Sequence, residues 1–404
     1  MKSKWKKRLT ASTFVLVLVL MFYLGVRYGD LRDRIVNEIP GKGFVAVDFP
    51  SEPAARPIRK ATFVPVRLEN SALAARRVAL ELKIFGTRRA PAHPTITDID
   101  TSAFASRYTG RAAFEKHYRR VFADHRIQVA QIAGAFDEIE GYRWRSIWLG
   151  HGAESPKGLF VYHHGHDGNP LAFESPNVVI RAMIERGYDI IIHCMPGIGW
   201  NNIGQVRIKT WDGWGYLTDS RNEQHALFSM VDTGDGHFIR FFVEPVLASI
   251  DLAMRQRAYR QVVMAGHSGG GWATTIAAAL DERIGLSVSY AGSLPFFARH
   301  KGKDLGDAEQ TDSAFYREFP YPLLYELASG SAATKRVHYQ VFNANDSCCF
   351  DSDSAATLQR YVSARPPQPD RDLRIAIVRN TGHYMAADAI LEIIGRLGPS
   401  QATR

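Results

Sequence analysis

At 404 residues, with 46% hydrophobic and 23% charged side chains, the chain can bury one large core and still leave roughly a hundred residues for accessory structure. The composition excludes collagen-like, repeat and disordered classes. The formal charge of +9 points toward nucleic acid only until it is divided: residues 1–36 carry eight Lys or Arg against Asp30 and Asp33, a net +6, so no nucleic-acid partner is expected.

In chain order, the basic octapeptide MKSKWKKR precedes an uncharged run, LTASTFVLVLVLMFYLGV, over 9–26. At about 1.5 Å per residue such a helix just spans a bilayer core, with its basic flank held in the cytoplasm. The next residues, RYGDLRDR, offer no small-x-small cleavage site. The expectation is a single-pass signal anchor: a cytoplasmic tail at 1–8, a transmembrane segment at 9–26, and the bulk of the chain in the periplasm or another extracytoplasmic space.

Residues 27–126 are expected to form a tether and an N-terminal helical cap. Prolines at 40, 50, 53, 57 and 65 mark the tether, and helical patterns follow at 71–82 and 111–123. From 127 to 400, short apolar runs alternate with helical segments, which predicts a mostly parallel sheet flanked by helices, of the eight-stranded type. The runs lie at 142–150, 158–165, 188–196, 261–268, 286–293, 336–346 and 373–383. Between the second and third, SPNVVIRAMIERG predicts a helix capped by Ser175, with Pro176 at its first position and Gly187 at its end. The long aromatic insertion at 197–236 is expected to be a lid or binding wall, with Trp200, Trp211 and Trp214 as substrate-binding candidates.

The segment QVVMAGHSGGGWATTIAAAL carries the chemistry. Gly266-His267-Ser268-Gly269-Gly270 fits G-x-S-x-G, with a buried-type strand running in and a small-residue helix running out. A serine on a strained strand-to-helix turn forces the residues two before and two after it together, so glycine is needed at both places. The helix beyond aims its positive end at any oxyanion formed on that serine. A hydroxyl needs a base, and His383 follows the last apolar run; an orienting acid should follow the run before. There NANDSCCFDSD offers Asp346 first, with Asp351 and Asp353 as alternatives. The turn HHGHDGN supplies a second oxyanion donor, the His166 N–H, beside that of Gly269.

The same turn fits only half of a metallo-hydrolase pattern: His163, His164, His166 and Asp167 are followed by glycine and asparagine. Neither a metal site nor a cofactor is expected. Cys194, Cys348 and Cys349 are too few for a disulfide framework; the adjacent pair can bridge, one can join Cys194, or all can stay as thiols. Asn345-Asp346-Ser347 reads as a glycosylation sequon, but a glycan beside Asp346 would obstruct a triad.

Together, His164-Gly165 at a strand end, the elbow at 266–270, a late aspartate and a final histidine resemble the α/β-hydrolase superfamily, in particular bacterial esterase-like serine hydrolases. The resemblance covers 127–400 and implies that fold and ester hydrolysis through an acyl-enzyme. Some such members act on acylated saccharides, so the expected partner is a small-molecule or saccharide ester. A serine peptidase or amidase on the same fold, or an inert binding domain, stay open at this level.

Overall fold

The computed structural model describes residues 70–89, 93–217, 224–299, 306–331, 335–364 and 371–396. The segment at 9–26, the tail at 1–8 and the proline-rich tether lie outside the described residues. Among the described residues no helix is long and apolar enough to cross a membrane.

Among the described residues eleven strands build one sheet. β1 (Thr95–Ile99), β2 (Gln128–Phe136), β3 (Ile139–Gly150), β5 (Tyr188–His193), β4 (Gly158–His163), β8 (Val262–His267), β9 (Ile284–Tyr290), β10 (Val337–Asn345) and β11 (Asp372–Thr381) lie side by side in that order. From β5 to β11 every pairing is parallel, while β1, β2 and β3 meet their neighbours antiparallel. The sequences GLFVYH, YDIIIH and VVMAGH of β4, β5 and β8 are buried along their whole length, as central parallel strands covered on both faces require. All seven apolar runs picked out from the sequence are strands.

The direction in which the chain steps across the sheet reverses at β4. The crossover from β4 to β5 steps one way, and the crossovers through β8, β9, β10 and β11 step the other. Right-handed crossovers in opposite directions put their helices on opposite faces and leave a crevice at the carboxyl ends of β4 and β8. The helix Glu174–Glu185 accordingly packs with Ala387–Arg396, whereas Gly269–Leu280 packs with Tyr321–Ser329 and Arg240–Gln256. This order and its reversal are those of the α/β-hydrolase fold.

Several local expectations need correction. The helix after β4 begins at Glu174, so Ser175 lies inside it and makes no cap; Gly187, at φ 86°, does end it. The 111–123 pattern is two helices, Arg111–His117 and Arg119–His125, broken at Tyr118, whose hydroxyl donates to buried Asn177 at 2.6 Å. The N-terminal helices do not act as one cap. Asn70–Phe85 docks at the far end of the Gly269–Leu280 helix, where buried Arg77 donates to the carbonyls of Ala279, Leu327 and Gly330. Arg336 donates there too, to Ala278 and Asp281. Two guanidinium groups thus satisfy the carbonyl end of the helix whose other end meets Ser268. The 197–236 insertion contains a hairpin, β6 (Val206–Thr210) and β7 (Gly213–Leu217), that extends the sheet through Ile139 and Glu140 of β3, followed by the short helix Gln224–Phe228.

Candidate active site

β8 runs out at His267, and the chain enters the helix Gly269–Leu280 through Ser268 at φ 56°, ψ −129°. Left-handed backbone of this kind costs a non-glycine residue about 1–3 kcal/mol, and it persists because its surroundings fix it. The Ser268 N–H donates to Tyr290 O at 2.9 Å, and its carbonyl accepts from Trp272 N at 3.0 Å. A Cβ on Gly266 would run into the Gly270 carbonyl, and one on Gly270 would run into that of His163. Ser268 holds the N-cap position of the helix, yet its side chain makes no capping bond, so the hydroxyl is not engaged by the helix it starts.

The turn after β4 closes on this elbow. His164 N–H donates to His193 O at 3.1 Å, and Gly165 lies so near that a Cβ there would sit 2.6 Å from the Ser268 Cβ. The His166 ring covers Gly269, where an added Cβ would be 2.5 Å from its Cε1. Gly165 and the His166 ring thereby border the elbow at Ser268 and Gly269.

β11 ends at Thr381, and Gly382, at φ 72°, turns the chain so that its N–H donates to Asn345 O at 2.8 Å. This brings His383 Nδ1 to 2.7 Å from Asp346 Oδ2. The other oxygen, Oδ1, accepts the N–H groups of Cys348 and Cys349 at 2.8 and 3.1 Å. Burial works against the Asp346 charge, but the hydrogen bond from His383 and those two N–H groups outweigh it and hold the carboxyl below its ordinary range. Asp351 caps the helix Ser352–Ser363 by accepting from Ser354 N. Asp353 lies in the first turn of that helix.

Nε2 of His383 is buried and has no hydrogen-bond partner, so among the described residues no bond joins it to Ser268. Its ring is 5.0 Å from that of His267, the residue before Ser268. Catalytic hydrogen bonds are often long without substrate and tighten when it binds. Burial first, then the nearby His383 and His164, hold His267 well below its ordinary value, so it stays neutral and adds no charge beside the serine.

The three tryptophans separate. Trp200 is half-buried, donates through Nε1 to Arg145 O at 2.9 Å and meets the Tyr108 ring edge-on at 5.5 Å. Trp211 and Trp214 are exposed on the β6–β7 hairpin, Trp214 under the Arg207 guanidinium at 4.8 Å. Of the cysteines, Cys348 and Cys349 form a disulfide with each other, and Cys194 is a buried thiol. The two sulfurs and a ring nitrogen of His383 all lie within 4.8 Å of one another.

A second group beside the elbow went unnoticed in the sequence. His166 Nε2 lies 3.0 Å from His225 Nδ1, 2.9 Å from Asp307 and 3.5 Å from Glu309. Burial opposes a proton on His166, but the two carboxylates outweigh it and push the imidazole up to about 10. His225 lies far in sequence from the closely spaced pair Asp307 and Glu309, and no spacing signal links that pair to either histidine.

No family model matches the chain, and no curated protein is similar to it in sequence at a significant level. Among solved structures, the acetyl xylan esterase from Paenibacillus sp. R4 aligns with 82% of this chain and 95% of its own length, at 12% identity and a TM-score of 0.47. Est1E from Butyrivibrio proteoclasticus aligns with 67% of this chain and 98% of its own, at 13% identity and a TM-score of 0.43. The acylaminoacyl peptidase of Pyrococcus horikoshii matches 67% of this chain but only 41% of its own, at 13% identity and a TM-score of 0.44.

Proposed function

We propose that the chain is a serine hydrolase acting on carboxylic esters, with Ser268 as nucleophile, His383 as general base and acid, and Asp346 as the group that orients the imidazole. The observation that carries this reading is the elbow: a non-glycine residue in left-handed backbone, hydroxyl unused, at the N-terminus of a buried helix and at the carboxyl-end crevice of the sheet. Ser268 Oγ attacks the ester carbonyl and passes its proton to His383 Nε2, the nitrogen without a partner. The N–H groups of Gly269 and His166 receive the carbonyl oxygen as it becomes negative. His383 protonates the departing alcohol, and water then releases the acyl group by the reverse sequence. In this reading the exposed Trp211 and Trp214 offer ring faces to the saccharide part of a substrate, and Trp200, bonded to Arg145, steadies β3. We also propose that residues 9–26 anchor the enzyme, with its hydrolase domain on the extracytoplasmic side.

The test is turnover of a panel of p-nitrophenyl and acetylated-saccharide esters against matched peptide amides, together with fluorophosphonate labelling. Ester turnover and a label lost in Ser268→Ala support the proposal. Turnover of amides alone would convert it to a peptidase, and folded wild type that takes no label would make the domain an inert binder. Membrane fractionation of the full chain and of a form lacking residues 1–36 tests the anchor: both in the soluble fraction would refute it.

A further inference from the structure

The group His166, His225, Asp307 and Glu309 is built like a metal site, and it stands apart from the proposed Ser268 chemistry. The four residues come from three places: His166 from the turn after β4, His225 from the helix Gln224–Phe228 of the insertion, and Asp307 and Glu309 together from the start of the helix Ala308–Thr311 beyond β9. One donor atom from each lies within 4.8 Å of the others.

The distances are tighter than that bound. His166 Nε2 and His225 Nδ1 are 3.0 Å apart. Asp307 Oδ2 is 2.9 Å from the first and 3.1 Å from the second. Glu309 Oε1 is 3.5 and 3.1 Å from the same two atoms. Four ligands at about 2.0–2.1 Å around a tetrahedral zinc ion stand roughly 3.3 Å from one another, which is the scale of these separations.

His225 Nε2 is 3.0 Å from Pro196 O, and a carbonyl only accepts, so that nitrogen carries a hydrogen and Nδ1 is the atom turned toward His166, Asp307 and Glu309. Two ring nitrogens facing each other at 3.0 Å share at most one hydrogen, while two carboxylate oxygens converge on the same point. Glu309 is fully buried, and its second oxygen, Oε2, has no partner at all. A dication at the centre answers all four atoms and balances both carboxylates, the fully buried Glu309 among them. The bond from His225 to the Pro196 carbonyl is the outer support that metal-bound imidazoles commonly have.

We propose that these four residues hold one Zn²⁺ ion. Two imidazoles and two carboxylates in a tetrahedron suit zinc, whereas calcium and magnesium take mainly oxygen. Four protein ligands leave no open position, which marks a structural ion and not one that activates water. Through His166 the ion ties the turn that presses on Gly269 and Ser268 to the insertion helix and to the segment after β9. The half-buried His166 and the exposed Asp307 side chain leave a path from solvent.

The test uses the full chain purified in detergent, stripped with a chelator and titrated with ZnCl₂ against a chromophoric competitor, with metal content read by mass spectrometry. The expected result is one Zn²⁺ per chain, a zinc-dependent rise in melting temperature, and a tetrahedral visible spectrum when Co²⁺ replaces zinc. His225→Ala and Glu309→Gln should weaken binding at least about 100-fold. Asp307→Asn is the mildest change at an exposed position, so it should fold even if the other two do not, and it should lose the zinc-dependent melting shift. Folded wild type that binds no stoichiometric zinc, or an Asp307→Asn variant that keeps wild-type affinity and shift, would overturn the site. Ser268→Ala leaves all four ligands in place and should keep its zinc, so failure of the hydrolase reading would not touch this result.

Discussion

Two histidines border the elbow from opposite sides, and their settings differ in one respect that matters. The His383 ring lies beside His267, the residue before Ser268, and meets one carboxylate through Nδ1 while Nε2 is left without a partner. The His166 ring covers Gly269, the residue after Ser268, and its Nε2 faces an imidazole and two carboxylates at once. One acid on one nitrogen orients a ring and leaves the other nitrogen able to move a proton. Several lone pairs gathered on one point hold a cation. Counting what converges on each nitrogen separates a proton shuttle from a ligand, although both are histidines paired with acids beside the same serine.

The largest expected effect breaks the first member of that pair. Ser268→Ala and His383→Ala should each lower kcat for an activated ester by about 10⁴-fold or more, since nucleophile and base act as a unit. Zinc content should be unchanged in both variants. If His383→Ala lost zinc and kept turnover, the two roles would have to be exchanged.

Next in size is the choice among the acids. Asp346→Asn keeps the shape of the side chain but favours the wrong imidazole tautomer, with an expected loss of roughly 10³–10⁴ in kcat and little change in KM. Asp351→Asn should leave kcat unaltered, because Asp351 caps a helix instead. Replacing that cap by Ala should cost about 1 kcal/mol of stability, read by thermal melting. Equal kinetic losses from the two Asn variants would refute the assignment of Asp346.

The sequence was most informative where local backbone demands a particular residue. The buried strands read as uninterrupted apolar runs, and the glycines at 266 and 270 mark a turn that tolerates no Cβ. Asp346 and His383 were visible because strand ends in a parallel sheet share an edge. β1 was invisible because TITDI lies on the sheet margin with nearly all its residues exposed, so no buried face leaves a pattern. The β6–β7 hairpin went unread because the aromatic residues of the 197–236 insertion were more conspicuous than its short strands. Ser175 failed as a cap since the helix begins two residues before the expected Pro176, at Glu174. Asp307 and Glu309 are close in sequence, but only tertiary structure brings them to His166 and His225, and neither periodicity nor spacing encodes that meeting.

A smaller effect comes from the histidines that belong to neither arrangement. His193 is held well below its ordinary value by burial and then by His163; His267 by burial and then His383; His338 is pushed down to about 3 by burial and then Arg336. His338 is also fixed neutral by Ser287 at 2.7 Å and Gln340 at 2.8 Å. Below about pH 6.5 the unfolded chain takes up protons that these folded rings refuse, so stability falls as pH falls. Each ring contributes a slope of about 1.4 kcal/mol per pH unit below that point. Chemical denaturation at pH 7.5, 6.0 and 5.0 should therefore show a steady loss of stability, reduced in His338→Gln. A flat profile would mean that these rings carry protons in the folded state.

The smallest effect concerns what holds Asp346. Its Oδ1 accepts two successive backbone N–H groups, from Cys348 and Cys349, and the disulfide between those residues closes the short loop that presents them. The donors are backbone atoms, so changing both cysteines to serine removes no hydrogen bond directly; it frees the loop to rotate them away. Losing part of one charge-assisted bond, about 1 kcal/mol, corresponds to a several-fold drop in kcat. It should also raise the acid limb of the kcat profile slightly, since an Asp346 with fewer donors is easier to protonate. Mild thiol treatment of wild type should reproduce the double variant and leave zinc content alone, because the ligands at His166 use no sulfur. A loss as large as that of Asp346→Asn would mean that the disulfide, and not the hydrogen bond to His383, fixes the carboxylate in place.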